Sequence, residues 1–146
     1  MLMWAYYADG HQGICYRFKL IPRNLKNIPP DSLLFLKMDY DNNFPKTNFY
    51  KDSTEDFVRE IFGTKAKCWE HEKEWRFITI SKVGKVQCPI LRLDAIIFGL
   101  KTNRKGYKEL IRDWIGNKGE TIELLQVKNK RRSFELEIIP EPGAQD

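Results

Sequence analysis

The sequence has few cysteines and no long apolar run, and each absence restricts what the protein can be. The three cysteines are odd in number and far apart, at Cys15, Cys68 and Cys88. This spacing is not that of a disulfide framework, and it fits a reducing compartment. No stretch approaches the roughly 18 apolar residues of a membrane span, and polar residues interrupt the apolar start too soon for a secretion signal. We therefore expect a cytoplasmic protein that does not enter a membrane.

Common catalytic and metal-binding motifs are also missing. The chain has no glycine-rich phosphate loop, no serine-centred elbow and no helical H-E-x-x-H pattern. Cys68 and His71 have the spacing of metal ligands, but a zinc site needs about four ligands, and only His11, Cys15 and Cys88 remain to complete one. We expect no metal site, and the sequence does not indicate any cofactor.

What is present suffices for one folded domain. The chain has 146 residues, of which 42% are apolar and 13% aromatic, and a chain of this size buries a core without cross-links. We predict a single domain over residues 1–146, with a frayed tail from about residue 141. The net charge of +5 permits an anionic partner without requiring one.

Hydrophobic periodicity predicts both helices and strands. A first helix is expected over residues 1–8, a second after the capping residue Ser53, and a third after Thr102 or Asn103. The third has an apolar stripe formed by Tyr107, Leu110, Ile111, Trp114 and Ile115. Alternating or continuously apolar runs predict strands near 13–20, 33–40, 86–93, 95–98, 121–128 and 133–139. This order predicts an α+β fold with a mixed, mostly antiparallel sheet of about six strands and two or three helices packed on it.

The most distinctive stretch is the charged run between Trp69 and Trp75. If the chain is extended from Glu70, then Glu72, Glu74 and Arg76 share one face, with the aromatic side chains as structural anchors. Glu72 and Glu74 are then candidates for a general base or a ribose-binding pair. The alternative, which we favour, is that both glutamates are surface residues paired with Arg76 and Lys73.

Two patterns in the chain resemble a known bacterial family. Residues 3–15 read M-W-x-x-Y-A-x-x-H-x-G-x-C, and residues 62–76 read F-x-x-K-x-x-x-W-x-x-E-x-E-W-R. Together with Ile96-Ile97-Phe98-Gly99, they resemble domain-of-unknown-function family 2971. The resemblance implies a bacterial protein of mobile genetic elements, here with a short N-terminus. A looser similarity to ADP-ribosyl-transfer folds implies catalytic roles for Tyr7 with Glu72 or Glu74, and His11, Trp69 and Arg76 are the accompanying candidates for binding.

Two basic clusters point to a different kind of partner. One surrounds the third helix and the other precedes the last strand; their members are Lys101, Arg104, Lys105 and Lys108, and then Lys128, Lys130, Arg131 and Arg132. If the fold brings them together, they could follow a phosphate backbone. Acidic residues are interleaved with them, so a solvated basic rim is the favoured alternative.

These observations lead to one expected function and two alternatives. We expect a non-catalytic protein that associates with itself or with a partner protein, as a homodimer whose interface lies near the first helix and the adjacent strand edge. The alternatives are a nucleotide-dependent, ADP-ribosyl-transfer-like enzyme or its remnant, and a nucleic-acid-binding module.

Overall fold

The computed structural model describes residues 2–22, 33–79, 84–85, 88–116 and 121–142, and for residues 112 and 114–116 the backbone alone. Several predicted features lie outside these residues: Met1 of the first helix, strand residues 86–87, the side chains of Trp114 and Ile115, and tail residues 143–146. The chain forms two compact units, one from Met1–Arg23 and Pro89–Asp146 and the other from Asn24–Cys88. The prediction of a single domain stays a prediction.

Among its described residues, the first unit contains a four-stranded sheet and two α-helices. Helix α1 (Leu2–Tyr7) precedes strand β1 (Ile14–Leu20). The remaining elements are β6 (Leu91–Phe98), α3 (Arg104–Gly116), β7 (Glu123–Asn129) and β8 (Leu136–Pro140). The strand order is β1-β6-β7-β8, and only the β6–β7 pair is parallel. Helix α3 connects these two parallel strands, which cannot be joined by a tight hairpin.

Strand β6 is the centre of the first unit. Its residues Ala95, Ile96, Ile97 and Phe98 are all buried, and the strand predicted near residues 95–98 is confirmed. Ala95 and Ile97 lie in a cluster with Trp4 of α1, whereas Ile96 and Phe98 lie in a second cluster with Ile111 of α3. Alternate side chains thus supply two cores on opposite faces of the sheet. Trp4 is 5% exposed, so this residue of the first helix is part of the core and is not available to the dimer interface that was expected near the helix.

The second unit is built from short elements. Strands β2 (Leu34–Lys37) and β5 (Trp75–Ile78) form an antiparallel pair, and β3 (Asp39–Asp41) and β4 (Thr64–Ala66) form a parallel pair. Helix α2 (Thr54–Gly63) begins after Ser53, whose Oγ accepts a hydrogen bond from the backbone N–H of Asp56 at 3.1 Å, as predicted. A 3₁₀ helix (Lys67–Glu72) follows β4.

The predicted α+β class is confirmed, with a mixed, mostly antiparallel four-stranded sheet and two small sheets. No helix among the described residues is long and apolar enough to cross a membrane. Glu141 differs from the expected frayed tail, because it is buried and its backbone N–H donates to the carbonyl of Leu124 at 2.9 Å.

Candidate functional site

The charged stretch between Trp69 and Trp75 is not one extended strand. Residues up to Glu72 form the 3₁₀ helix, which ends at Lys73 in a left-handed conformation with φ of 48°, and β5 begins only at Trp75. The prediction of an extended chain from Glu70 is therefore wrong. The alternation of charged residues did not reveal where the 3₁₀ helix gives way to the extended strand, because charged side chains are compatible with the surface of both a helix and a strand.

Lys65 of β4 brings the two candidate glutamates together. Its Nζ lies 2.5 Å from Oε2 of Glu72 and 3.0 Å from Oε2 of Glu74, and the side chains of all three residues are largely buried. The ammonium also lies over the ring of Trp69, 5.0 Å from its centroid, where it gains cation–π attraction. The sequence predicted that Lys73 pairs with the glutamates, whereas Lys65, the lysine of the pattern over residues 62–76, makes these contacts.

Arg76 completes the ion network, which we define as Lys65, Glu72, Glu74 and Arg76. Its Nε donates to Oε1 of Glu74 at 2.6 Å, which confirms the predicted pairing of these two residues, and its Nη1 donates to the carbonyl of Phe62 at 2.9 Å. The backbone N–H of Glu74 donates to the hydroxyl of Tyr40 at 2.8 Å. The network thereby connects β3, the end of α2, β4, the 3₁₀ helix and β5.

The protonation chemistry of Glu74 argues against a role as general base. Hydrogen bonds from Arg76 and then from Lys65 outweigh burial and hold the pKa of Glu74 below its ordinary value. The same pairing with Glu72 and Glu74 raises the pKa of Lys65. A general base works best with a pKa near the operating pH, so a carboxylate held ionised by two cations is suited to fixing structure or to accepting hydrogen bonds.

A pH series tests this assignment of Glu74. Because its folded pKa lies below the unfolded value of about 4.3, its contribution to stability is complete above that value and is lost as pH falls through the folded pKa. We expect the Glu74→Gln variant to lose less stability than the wild type between about pH 5 and pH 2, measured by urea unfolding. The exposed Glu70, paired with Lys67 at 3.1 Å, supplies the control variant Glu70→Gln, which should follow the wild type. Parallel curves for Glu74→Gln and wild type would contradict the assignment.

The remaining predicted site residues belong to the first unit. Tyr7 lies on α1 with 64% of its side chain exposed. The ring of His11 stacks on Trp4 with centroids 6.1 Å apart, and its carbonyl oxygen accepts the backbone N–H of Lys101 at 3.0 Å. His11 therefore has a structural role in the turn between α1 and β1. The four residues of the ion network all belong to the second unit.

Cys15 and the pair Cys68 and His71, which has the spacing of metal ligands, are the remaining candidates for reactive chemistry. Burial raises the pKa of the Cys15 thiol, which disfavours the nucleophilic thiolate. Nδ1 of His71 contacts the carbonyl oxygen of Cys68 at 3.1 Å. Within the part of the chain that the structure describes, no group of three or more His, Cys, Asp or Glu side chains is placed to hold a metal ion.

The second unit also contains an acidic cavity, which the sequence did not predict. Its volume is about 460 Å³, and it is lined by Asp39, Asp41, Asn43, Phe44, Pro45, Lys46, Glu60 and Thr64. The carboxylate of Asp41 is engaged within its own loop, where it accepts the backbone N–H of Asn43 at 2.7 Å, and this bond lowers its pKa. The polar residues after β3 indicate only a loop between two elements. Nothing in them indicates that Glu60 of α2 lies at the same cavity.

Comparison of the chain with protein-family models, curated proteins and solved structures found no match. The resemblance to family 2971 stays a prediction, as do the roles that the looser similarity to ADP-ribosyl-transfer folds implies for Tyr7, Glu72 and Glu74.

Proposed function

We propose that this is a non-catalytic cytoplasmic protein that binds a second copy of itself through the open edge of strand β1. The observation that carries the proposal is an exposed apolar stripe on an edge strand. Tyr16, Phe18 and Leu20 are 55%, 50% and 54% exposed, and the described residues give β1 a single neighbour, β6. An edge strand offers unpaired backbone groups, and apolar side chains beside them favour a further strand.

On the opposite face of β1, the basic side chains of Arg17 and Lys19 are paired with acidic side chains of the same chain. Arg17 contacts Asp94 at 2.6 Å and Glu123 at 2.8 Å, and Lys19 also contacts Asp94. Hydrogen bonds from Lys19 and then from Arg17 hold the pKa of Asp94 below its ordinary value, so the carboxylate stays charged. Two copies of β1 therefore bring together cations that are already paired within each copy.

Antiparallel pairing of two β1 strands supplies a closed, two-fold interface. Each copy presents the same strand, so the contacts are isologous and the two β1 edges are both used in one closed contact. The stripes of both copies then lie on one face of a continuous sheet, where Tyr16 and Phe18 add aromatic area; their ring centroids are 6.4 Å apart within one chain. The engagement of Glu72 and Glu74 in the ion network supports a binding role over a catalytic one. As the resemblance to family 2971 implies, we also propose that this self-associating protein belongs to a bacterial mobile genetic element.

Sedimentation equilibrium tests the interface. We expect a dimer for the wild type at tens of micromolar, where specific interfaces of standard size are normally occupied. The Phe18→Glu variant should be monomeric, because it places a charge in the centre of the stripe. Ile138→Glu is the matched control and should stay dimeric, since Ile138 is 54% exposed on β8, the strand at the other end of the sheet. A monomeric wild type, or equal loss of the dimer in both variants, would contradict the proposal.

A further inference from the structure

Basic residues follow two neighbouring parallel strands of the first unit. Strands β6 and β7 run parallel, with Phe98 paired to Gln126. The carboxyl ends of parallel neighbours lie at the same edge of a sheet, and this is the edge at which open sheets with connecting helices bind ligands. The residues that follow both strands therefore meet there. We define the basic edge as Lys101, Arg104, Lys105, Lys130, Arg131 and Arg132, which follow the two strands, together with Lys128 near the end of β7.

A direct contact ties the two parts of the basic edge together. Nη1 of Arg104, the first residue of α3, donates to Oε1 of the buried Gln126 on β7 at 2.5 Å. Lys128 lies two residues beyond Gln126, which is about 7 Å along a strand. The two clusters that are separate in the sequence therefore lie at the same edge of the sheet.

Most cations of the basic edge form no direct ion pair with the part of the chain that the structure describes. Arg104 contacts Glu141 at 3.4 Å, and Lys130 contacts Glu135 at 2.8 Å. The other five side chains, those of Lys101, Lys105, Lys128, Arg131 and Arg132, are exposed and form no ion pair within the described ranges. Of these five, Lys128 lies opposite Glu137 in the β7–β8 pair. Such a concentration of positive charge favours a ligand with closely spaced phosphates.

The turn between β7 and β8 adds an aromatic ring to this charge. Phe134 is 94% exposed and directly follows Arg131, Arg132 and Ser133. The turn is fixed by hydrogen bonds from the N–H of Lys130 to the carbonyl of Glu135 at 3.0 Å and from the N–H of Ser133 to the carbonyl of Lys130 at 3.2 Å. An exposed ring held beside cations is the arrangement on which an unpaired base stacks while its phosphates contact the cations.

We propose that the basic edge and Phe134 bind single-stranded nucleic acid without sequence preference. Phosphates contact Lys101, Lys105, Lys128, Arg131 and Arg132, and one base stacks on Phe134. A single strand is favoured over a duplex because its bases are free to stack on a protein ring. This activity is separate from the β1 interface, so either can fail without the other.

Fluorescence anisotropy with labelled oligo(dT) and oligo(U) of about 12 nucleotides, the size that one small domain covers, tests the proposal on the full chain. Binding should weaken as salt rises from about 50 to 200 mM. Replacing Arg131 and Arg132 together with Ala should reduce the slope of log K against log salt by about 1.4, since each phosphate contact in a single strand contributes about 0.7. Phe134→Ala should weaken binding about tenfold at unchanged slope, because it removes stacking and no charge. The two oligonucleotides distinguish DNA from RNA as the source of the strand.

Phe44→Ala is the matched control, because Phe44 is 95% exposed but lies in the second unit. It should bind like the wild type, and thermal melts should show that every variant is folded. Inorganic polyphosphate, which has charge but no bases, should compete poorly. The proposal is overturned by absence of binding at low salt, by tighter binding of a duplex, or by equal affinities for Phe134→Ala and wild type.

Discussion

Replacement of Gly99 by alanine is expected to destabilise the first unit by about 3 kcal/mol, the upper part of the range for an overpacked site. A Cβ at this position would lie 2.3 Å from the carbonyl oxygen of His11 and 2.8 Å from its carbonyl carbon. These are backbone atoms that cannot rotate away, and the same crossing is held by the hydrogen bond from the N–H of Gly99 to the carbonyl of Gly13 at 3.2 Å. The turn before β1 and the end of β6 must therefore separate.

Gly106→Ala supplies the matched control, with an effect of opposite sign. Gly106 lies inside α3, and a Cβ there would come no closer than 3.6 Å to the side chain of Asn103. Alanine is better than glycine in a helix by up to about 1 kcal/mol. Urea unfolding followed by circular dichroism should place the midpoint of Gly99→Ala below that of the wild type and the midpoint of Gly106→Ala above it. Equal midpoints for Gly99→Ala and wild type would show that the two backbones do not pack so closely.

Replacement of Lys65 by methionine is expected to cost about 2 kcal/mol at neutral pH, somewhat less than the loss of one partner from a fully buried ion pair. Methionine preserves the length of the side chain and its contact with Trp69, but it leaves Glu72 and Glu74 without their shared cation. These side chains are only 13% and 27% exposed, so water replaces the lost bond poorly. The cost should shrink below about pH 4, where protonated carboxyl groups no longer repel each other.

Lys67→Met provides the comparison for the Lys65 variant. Lys67 also contacts a glutamate, Glu70, at 3.1 Å, but both side chains are at least half exposed. Exposed pairs contribute from about 0 to 1 kcal/mol, so this variant should stay close to the wild type. If both variants are equally stable at neutral pH, the ion network does not hold the second unit together. The measurement is the urea midpoint at several pH values.

The fold was predictable where one hydrophobic pattern had one structural solution. Ser53 with Asp56 three residues later predicted the start of α2, and the unbroken apolar run ending at Phe98 predicted a strand buried on both faces. The charged stretch before Trp75 was harder to predict, because Glu72 and Glu74 in it are paired with Lys65 of β4. Such tertiary contacts leave no periodic signal in the sequence.

The candidate surfaces show the same limit. Both basic clusters were visible in the sequence, but only the parallel register of β6 and β7 shows that they share an edge. Similarly, alternation in residues 14–20 predicted a strand with Tyr16, Phe18 and Leu20 on one face, and the sequence could not show that this face stays exposed. A one-dimensional pattern identifies which side chains share a face, whereas the neighbours of that face are set by the order of strands.

The position of β1 beside β6 has a consequence for how the protein folds during synthesis. Leu20 pairs with Leu91, so about 70 residues must leave the ribosome before this pair can form. The whole second unit lies between Leu20 and Leu91 in the sequence. Its short-range contacts can form before β6 is synthesised, while β1 is still unpaired. By contrast, β6, α3, β7 and β8 follow one another directly. We therefore expect β1, with Tyr16, Phe18 and Leu20, to stay unpaired in the nascent chain for longer than the other described strands. Chaperones that recognise extended apolar segments should bind it during this time.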